Sequence, residues 1–200
     1  LVLLLTAAGV LPGGPAPVAA EEPEPVNWAA AENGGRIVSV TVEDDGHPAA
    51  NLLDGYKLDY GDWAATSLDF PLAVVVELGG DRTHVIDHVV LNPWTSEWRM
   101  AWVKDFELRA SADSADPAKM IKLGAFTLDH VGIDQAFAFD PVEAKYVALL
   151  VQSNYGNPDG VILNEFEVYA APDDAATPEQ PAQVKPDNLV AAANGGRIVA

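Results

Sequence analysis

Thirteen residues from Asn51 to Trp63, NLLDGYKLDYGDW, hold three aspartates, two glycines, two tyrosines and a tryptophan directly before an apolar run. Asp54, Asp59 and Asp62 offer carboxylate oxygens, and Gly55 and Gly61 allow backbone carbonyls to turn inward between them. Oxygen donors of this kind suit calcium, a hard cation that takes about 6–8 oxygen ligands at about 2.3–2.6 Å. The same residues also suit an ordinary acidic turn, with Asp54 capping its own backbone and Gly55 at positive φ. From these thirteen residues alone, both readings stand.

A second stretch, Asn92 to Trp102 (NPWTSEWRMAW), sets three tryptophans within nine positions. Trp94, Trp98 and Arg99 fall in a connection between strands, where large rings are costly unless covered or used. Sugars present CH faces that pack on aromatic rings, and a planar polar group can take their hydroxyls. Trp98 beside Arg99 supplies both, unless the rings fold back over the end of the fold. Trp102 leads into the alternating segment VKDFEL, and that places it with the core. A third loop, Ser153–Gly160 (SNYGNPDG), brings Asn154 and Tyr155 as contacts to a ligand or as turn residues. Tyr60, inside the acidic stretch, is a comparable candidate.

Catalytic chemistry finds little purchase. His84 and His88 share a strand face but lie about 13 Å apart at ~3.3 Å per residue, too far for a common metal. His47 and His130 have no partner pattern around them. No G-x-S-x-G, H-E-x-x-H or glycine-rich phosphate loop occurs, and no residue is singled out as catalytic. Cysteine is absent, so any metal site must use oxygen ligands or histidine.

These residues need elements to hold them. Between Asn27 and Ala171, apolar alternation at period two dominates. Arg36–Glu43, Ala73–Leu78, His84–Leu91, Val103–Ala110, Phe126–Leu128, Ala136–Phe139, Tyr146–Val151 and Ile162–Tyr169 read as strands. About eight short antiparallel strands punctuated by Gly, Pro and Asp describe an all-β sandwich or jelly roll.

The flanks differ in character. Residues 1–20 (LVLLLTAAGVLPGGPAPVAA) form an apolar block, a Pro-containing break and small residues before Glu21, the pattern of a secretory signal peptide and of an exported protein. The block is shorter than the ~20 apolar residues that span a bilayer. Residues 21–26 are an acidic spacer, and 172–187 a linker of Pro, Ala and acid. NWAAAENGGRIVS at Asn27 returns as NLVAAANGGRIVA at Asn188, agreeing at nine of thirteen positions. That spacing reads 188–200 as the start of a second copy of the 27–171 domain, in tandem. The chain carries 11 basic and 30 acidic residues, a formal charge of −19. Such a field disfavours nucleic acid and anionic lipid headgroups.

NLLDG with DWAAT, FPLAVVVELG, VIDHVVLNP, WVKDFELRAS, LGAFTL, FAFDPVEAKYVALLVQSNYG and LNEFEVYA follow one another in an order that resembles the discoidin, or coagulation factor 5/8 type C, domain. The family 32 carbohydrate-binding modules are similar. The resemblance implies a jelly-roll β-sandwich of galactose-binding-like type, with ligand-binding loops at one end. It also implies a structural calcium held by the Asp of the DG pair, here Asp54, and by a Glu entering the last strand, here Glu165. The family's Thr or Ser just before the Trp is replaced by Asp62. Galactose-binding relatives carry an Arg soon after the loop's Pro; here Trp94 follows Pro93, so the resemblance implies sugar binding without implying galactose.

The expected function is a non-catalytic, extracellular carbohydrate-binding module that attaches a larger multidomain protein to a glycan or polysaccharide, with a structural calcium. The alternative is a protein-interaction or adhesion domain using the same loops. A membrane-binding role would call for basic flanks, against which the charge argues.

Overall fold

A computed structural model describes residues 25–171 and confirms the all-β sandwich. Ten strands are present: β1 (Arg36–Val40), β2 (Trp63–Ala65), β3 (Leu72–Glu77), β4 (His84–Asn92), β5 (Asp105–Ser111), β6 (Ile121–Thr127), β7 (Gln135–Ala144), β8 (Tyr146–Val151), β9 (Val161–Leu163) and β10 (Glu165–Ala170). All strand pairs are antiparallel. A five-stranded sheet runs β1-β3-β8-β5-β6, a three-stranded sheet runs β10-β4-β7, and β2 pairs with β9 alone.

The core lies between the two larger sheets. Period-two alternation sends Phe106, Leu108 and Ala110 of β5, and Val147, Leu149 and Val151 of β8, to the same buried face. Phe106, Phe126 and Phe137 meet there with ring centroids 5.0–5.7 Å apart. Strands β3 and β8 are buried on both faces, since Val75, Ala148 and Leu150 pack outward under Met120. That explains why their sequences, AVVVEL and YVALLV, read as nearly continuous apolar runs.

Three departures from regular alternation matter for the site. The stretch Ile162–Tyr169, expected as one strand, breaks at Asn164 into β9 and β10. Asn164 is fully buried; its N–H donates to Asn92 O and its Nδ2 donates to Leu58 O at 3.0 Å. The chain thereby leaves its pairing with β2 and joins β4. Second, β4 has a bulge between Ile86 and His88. His84 points into the core, stacked on Trp28 at 4.0 Å, whereas His88 stacks on Tyr169 at 5.0 Å and is half-buried. The shared face expected for these two histidines is therefore lost, because one extra residue inverts the alternation. Third, Trp102 and Val103 form only isolated bridges ahead of β5, and Trp102 is buried as expected.

The segment NGGRIV is built for close approach. A Cβ on Gly35 would come within 1.9 Å of Ala29 O, and Gly34 has φ +92°. The second copy of this motif lies outside the described residues, as do the signal segment, nearly all of the acidic spacer and the 172–187 linker.

Candidate functional site

The long connection between β1 and β2 contains the acidic stretch, and it has two sides. One side faces a cleft of about 480 Å³ between this connection, the β4–β5 loop and β9. The other side faces the start of β10.

On the cleft side, Tyr60 and Trp98 dominate. Tyr60 is 83% exposed and Trp98 61% exposed, and both line the cleft. They are also the two non-glycine residues with positive φ among the described residues, at 69° and 59°. Such backbone costs on the order of 1 kcal/mol or more and persists only where the surroundings over-determine it. Here the Ala101 N–H donates to Trp98 O at 2.7 Å and the Gly61 N–H donates to Leu58 O at 3.1 Å. Trp98 also borders a second, smaller depression of about 130 Å³ with Ala101, Asn157 and Gly160. Its indole therefore stands as a wall between two hollows.

Polar groups fix the cleft's shape. The Ser96 N–H donates to Asp59 Oδ1 at 2.7 Å, tying the tryptophan loop to the acidic loop. Thr95 Oγ1 accepts from the Trp102 indole N–H at 2.9 Å and donates to Glu97 O at 2.5 Å. Asp62, 4% exposed, lies 3.1 Å from His47 Nδ1, close enough for an ion pair though poorly aligned as a hydrogen bond. Burial pushes the Asp62 carboxyl above the usual carboxylate range, His47 pulls it back, and the Asp59 charge adds to the rise.

The opposite side is cross-linked around a buried Glu165. Glu165 is 1% exposed; its Oε1 accepts a long 3.4 Å bond from the Gly55 N–H, and its Oε2 has no hydrogen-bond partner. Burial first, then the nearby Asp54 charge, pushes its carboxyl up to about 8. Asp54 Oδ1 accepts from the Tyr56 N–H at 2.7 Å, the turn geometry weighed from the sequence. The adjacent Asn164 Oδ1 is likewise buried without a donor. Lys57 bridges from the loop to Glu167 at 2.7 Å and to Asp134 at 2.9 Å. Burial opposes the Lys57 charge, yet its bonds to Glu167 and Asp134 hold its pKa above the ordinary lysine value.

The four carboxylates expected around one ion are thus divided. Asp54 and Glu165 sit together, while Asp59 and Asp62 belong to the cleft, because residues 57–61 carry the chain from one side to the other. Among the described residues no three His, Asp or Glu side chains are placed to hold one metal. An oxygen-only cation still fits beside Asp54 and Glu165, since a buried carboxylate oxygen of Glu165 there lacks any donor. Such a shell would draw on Asp54, Glu165 and neutral oxygens rather than on four carboxylates.

The expected ligand-contact residues divide too. Trp98 and Tyr60 reach the cleft; Trp94, Arg99, Asn154 and Tyr155 do not line it. Trp94 is half-buried against Gly132, where a Cβ would come within 2.5 Å of its ring. Arg99 lies over the Trp102 ring, 5.7 Å from its centroid. Asn154 closes its own loop, donating through Nδ2 to Asn157 O and Gly160 O and accepting the Gly156 N–H. The Tyr155 hydroxyl donates to Leu128 O, and its ring stacks on His130 at 4.1 Å. His47, Asp44 and Glu97 line the cleft and were not singled out by the sequence. The contact between His47 and Asp62 spans fifteen positions with no periodic signal; the turn-forming DDGHP around His47 was the one local hint.

Comparison with known proteins places this geometry. Among the solved structures 210 chains match, one of them the family 32 carbohydrate-binding module of Clostridium perfringens NanJ in complex with galactose. It is 17% identical, with a TM-score of 0.58, covering 72% of this chain and 98% of that one. A Clostridium perfringens module named CpGH89CBM32-5, in complex with GalNAc-β-1,3-galactose, is 20% identical at TM-score 0.58, covering 69% and 97%. At these identities the likeness is one of fold. Chitosan-binding module 1 from a chitosanase/glucanase of Paenibacillus sp. IK-5 is 26% identical at TM-score 0.56, covering 72% and 99%. No curated protein sequence gives a significant match. The F5/8 type C domain model matches residues 36–166, most of the chain and nearly all of the described fold. The chain belongs to the F5/8 type C domain family, with the fold of the family 32 carbohydrate-binding modules.

Proposed function

We propose that this protein is a non-catalytic glycan-binding module whose ligand lies in the cleft between the acidic loop and the tryptophan loop. One observation carries the reading: two exposed aromatic rings, Trp98 and Tyr60, are held in left-handed backbone on the walls of a 480 Å³ hollow that polar side chains share with Ala64 and Ile162. Exposed rings are costly unless something covers them. A sugar ring can cover an indole with its CH face while Asp59, Asp62 and Thr95 take its hydroxyls. Membership of a family whose relatives are named for galactose, GalNAc-β-1,3-galactose and chitosan supports glycan binding without fixing the sugar.

A structural calcium forms part of the proposal. Asp54 and Glu165 would hold it, and it would supply the positive charge that the buried Glu165 carboxylate otherwise lacks. It would pin the loop whose other side forms the cleft. Export to the extracellular space rests on the apolar residues 1–20, and attachment of a larger protein through tandem copies rests on the repeat at Asn188. Two linked copies would raise avidity by making the second contact intramolecular.

A glycan array probed with the full chain, in calcium and in EDTA, tests the reading. Binding to a defined set of sugars that is abolished by Trp98→Ala supports it. An empty array in both buffers overturns it in favour of a protein partner.

A further inference from the structure

Trp98 is exposed and stands in left-handed backbone, which a large side chain adopts only where its surroundings hold it. On its C-terminal flank, the short turn Arg99–Ala101 begins, and the Ala101 N–H donates to Trp98 O at 2.7 Å. Neighbouring loops pin that turn: the Asn157 N–H donates to Met100 O at 3.0 Å, and His130 Nε2 lies 3.0 Å from Arg99 O. The turn leads into Trp102, which is buried and meets the His130 ring edge-on at 5.3 Å.

On the N-terminal flank, one side chain carries the connection to the core. Thr95 is itself buried, and its hydroxyl accepts from the Trp102 indole N–H at 2.9 Å. The same hydroxyl donates to Glu97 O, directly before Trp98, at 2.5 Å. These bonds close a circuit from Trp102 through Thr95, Glu97 and Trp98, and by way of the Arg99–Ala101 turn back to Trp102. The exposed ring at 98 is thereby held against the buried ring at 102. Only a hydroxyl serves both links, because it has one proton to give and lone pairs to receive. Serine keeps that capacity, whereas valine keeps the shape of threonine and loses both bonds. The Asp59 tie is of another kind, since it uses the backbone N–H of Ser96.

We infer that Thr95 is the positioning residue of the cleft, acting on a bound sugar chiefly through Trp98. One lone pair of its oxygen stays open to the cleft, but its proton is spent inside the loop. Its larger contribution is to set the ring before the sugar arrives, which spares the cost of ordering it on binding. This inference rests on the cleft being the glycan site.

Nitrogen-15 relaxation of the full chain, without sugar, compares the parent with Thr95→Val and Thr95→Ser. In the parent and in Thr95→Ser, the backbone amides of Glu97 and Trp98 should be as ordered as β4 and β5, with order parameters of about 0.85. In Thr95→Val they should fall below about 0.6 while β4 and β5 hold. Unchanged order at Trp98 in Thr95→Val would overturn the inference. Thr95→Val also leaves the Trp102 indole without its acceptor and should melt earlier. If it does not fold, the parent decides. Its Thr95 hydroxyl proton should exchange slowly with water and cross-relax with the Trp102 indole N–H; fast exchange without that signal would overturn the circuit. A glycan array read over a dose series then compares the parent, Thr95→Val, Trp98→Ala and the double variant. Thr95→Val should weaken retention about fivefold in the parent, less than loss of the ring itself, and under about twofold beside Trp98→Ala. Equal losses in both backgrounds would make Thr95 a direct contact and overturn the positioning role, leaving the glycan cleft standing. An empty array, or undiminished binding by Trp98→Ala, would overturn the glycan cleft itself and with it the role of Thr95 in binding, whatever the relaxation shows.

Discussion

The two sides of the acidic loop are made from the same residue types and do opposite things. Toward β10, Glu165 is buried beside the exposed Asp54, and Lys57 ties the loop to Glu167 and Asp134. Toward the cleft, Asp59 and Asp62 stand beside exposed aromatic rings, with one imidazole as the only base. The buried Glu165 and the Lys57 pairs fix the chain, whereas Asp59, with no ion pair among the described residues, lines the hollow. The lesson is that residue type alone does not tell which side of the loop an aspartate serves. The difference lies in which way residues 57–61 turn, and Gly61 marks that turn: a Cβ there would come within 2.3 Å of Tyr56 O.

The largest expected effect breaks the comparison on its buried side. Glu165 titrates near 8 in the fold against 4.5 in the open chain. Between those values the folded state holds a proton that the unfolded state has released, so stability falls as pH rises through this window. Without calcium, the melting temperature should therefore decline from about pH 4.5 to pH 8, by the equivalent of a few kcal/mol. Saturating calcium should flatten that decline, and Glu165→Gln should remove both the decline and the calcium response. A calcium response that survives in Glu165→Gln would place the ion elsewhere.

Trp98→Ala attacks the other side. It should weaken glycan binding by tenfold or more, on the order of 2 kcal/mol for a central aromatic contact. Melting should hold, since most of that ring already faces solvent. Measured in parallel, an equal loss of stability would return Trp98 to the core and dissolve the contrast.

Lys57→Met sharpens the comparison from within the loop. Removing the bridge to Glu167 and Asp134 should cost about 1 kcal/mol in chemical denaturation. Glycan affinity should change less than threefold, because the cleft residues are held separately through Ser96. Loss of affinity matching the loss of stability would show the two sides to be one unit.

The smallest effect is expected at Tyr155→Phe. Its hydroxyl bonds Leu128 O and its ring stacks on His130, so about 1 kcal/mol of stability should go and glycan binding should stay. A binding defect in this variant would enlarge the site toward the Ser153–Gly160 loop.

Much of the fold was legible because long strands repeat with period two. β3, β5 and β8 were found within two residues of their ends at sites such as Phe106, Leu149 and Val75. The three-residue strands β2 and β9 are too short to show a period, and the break at Asn164 is enforced by tertiary bonds to Asn92 and Leu58. β6 was found only at its end, since edge residues such as Ile121 are exposed and do not alternate cleanly. At the candidate site, Trp98 and Tyr60 were legible as loop aromatics, with folding back over the end of the fold the open alternative for Trp98. Arg99, Asn154 and Tyr155 looked equally eligible, and only their contacts with Trp102, Gly160 and Leu128 set them apart. His47 carried only the turn signal of DDGHP, because its partner Asp62 is reached through the fold.

The most direct test of the central claim is a nuclear magnetic resonance titration of the full chain with a sugar that the array selects, following the five indole N–H signals. The account predicts that the Trp98 signal shifts with saturation while those of Trp28, Trp63 and Trp102 stay in place. Shifts confined to Trp94 or Trp102, with Trp98 unmoved, would contradict it and put the ligand outside the cleft.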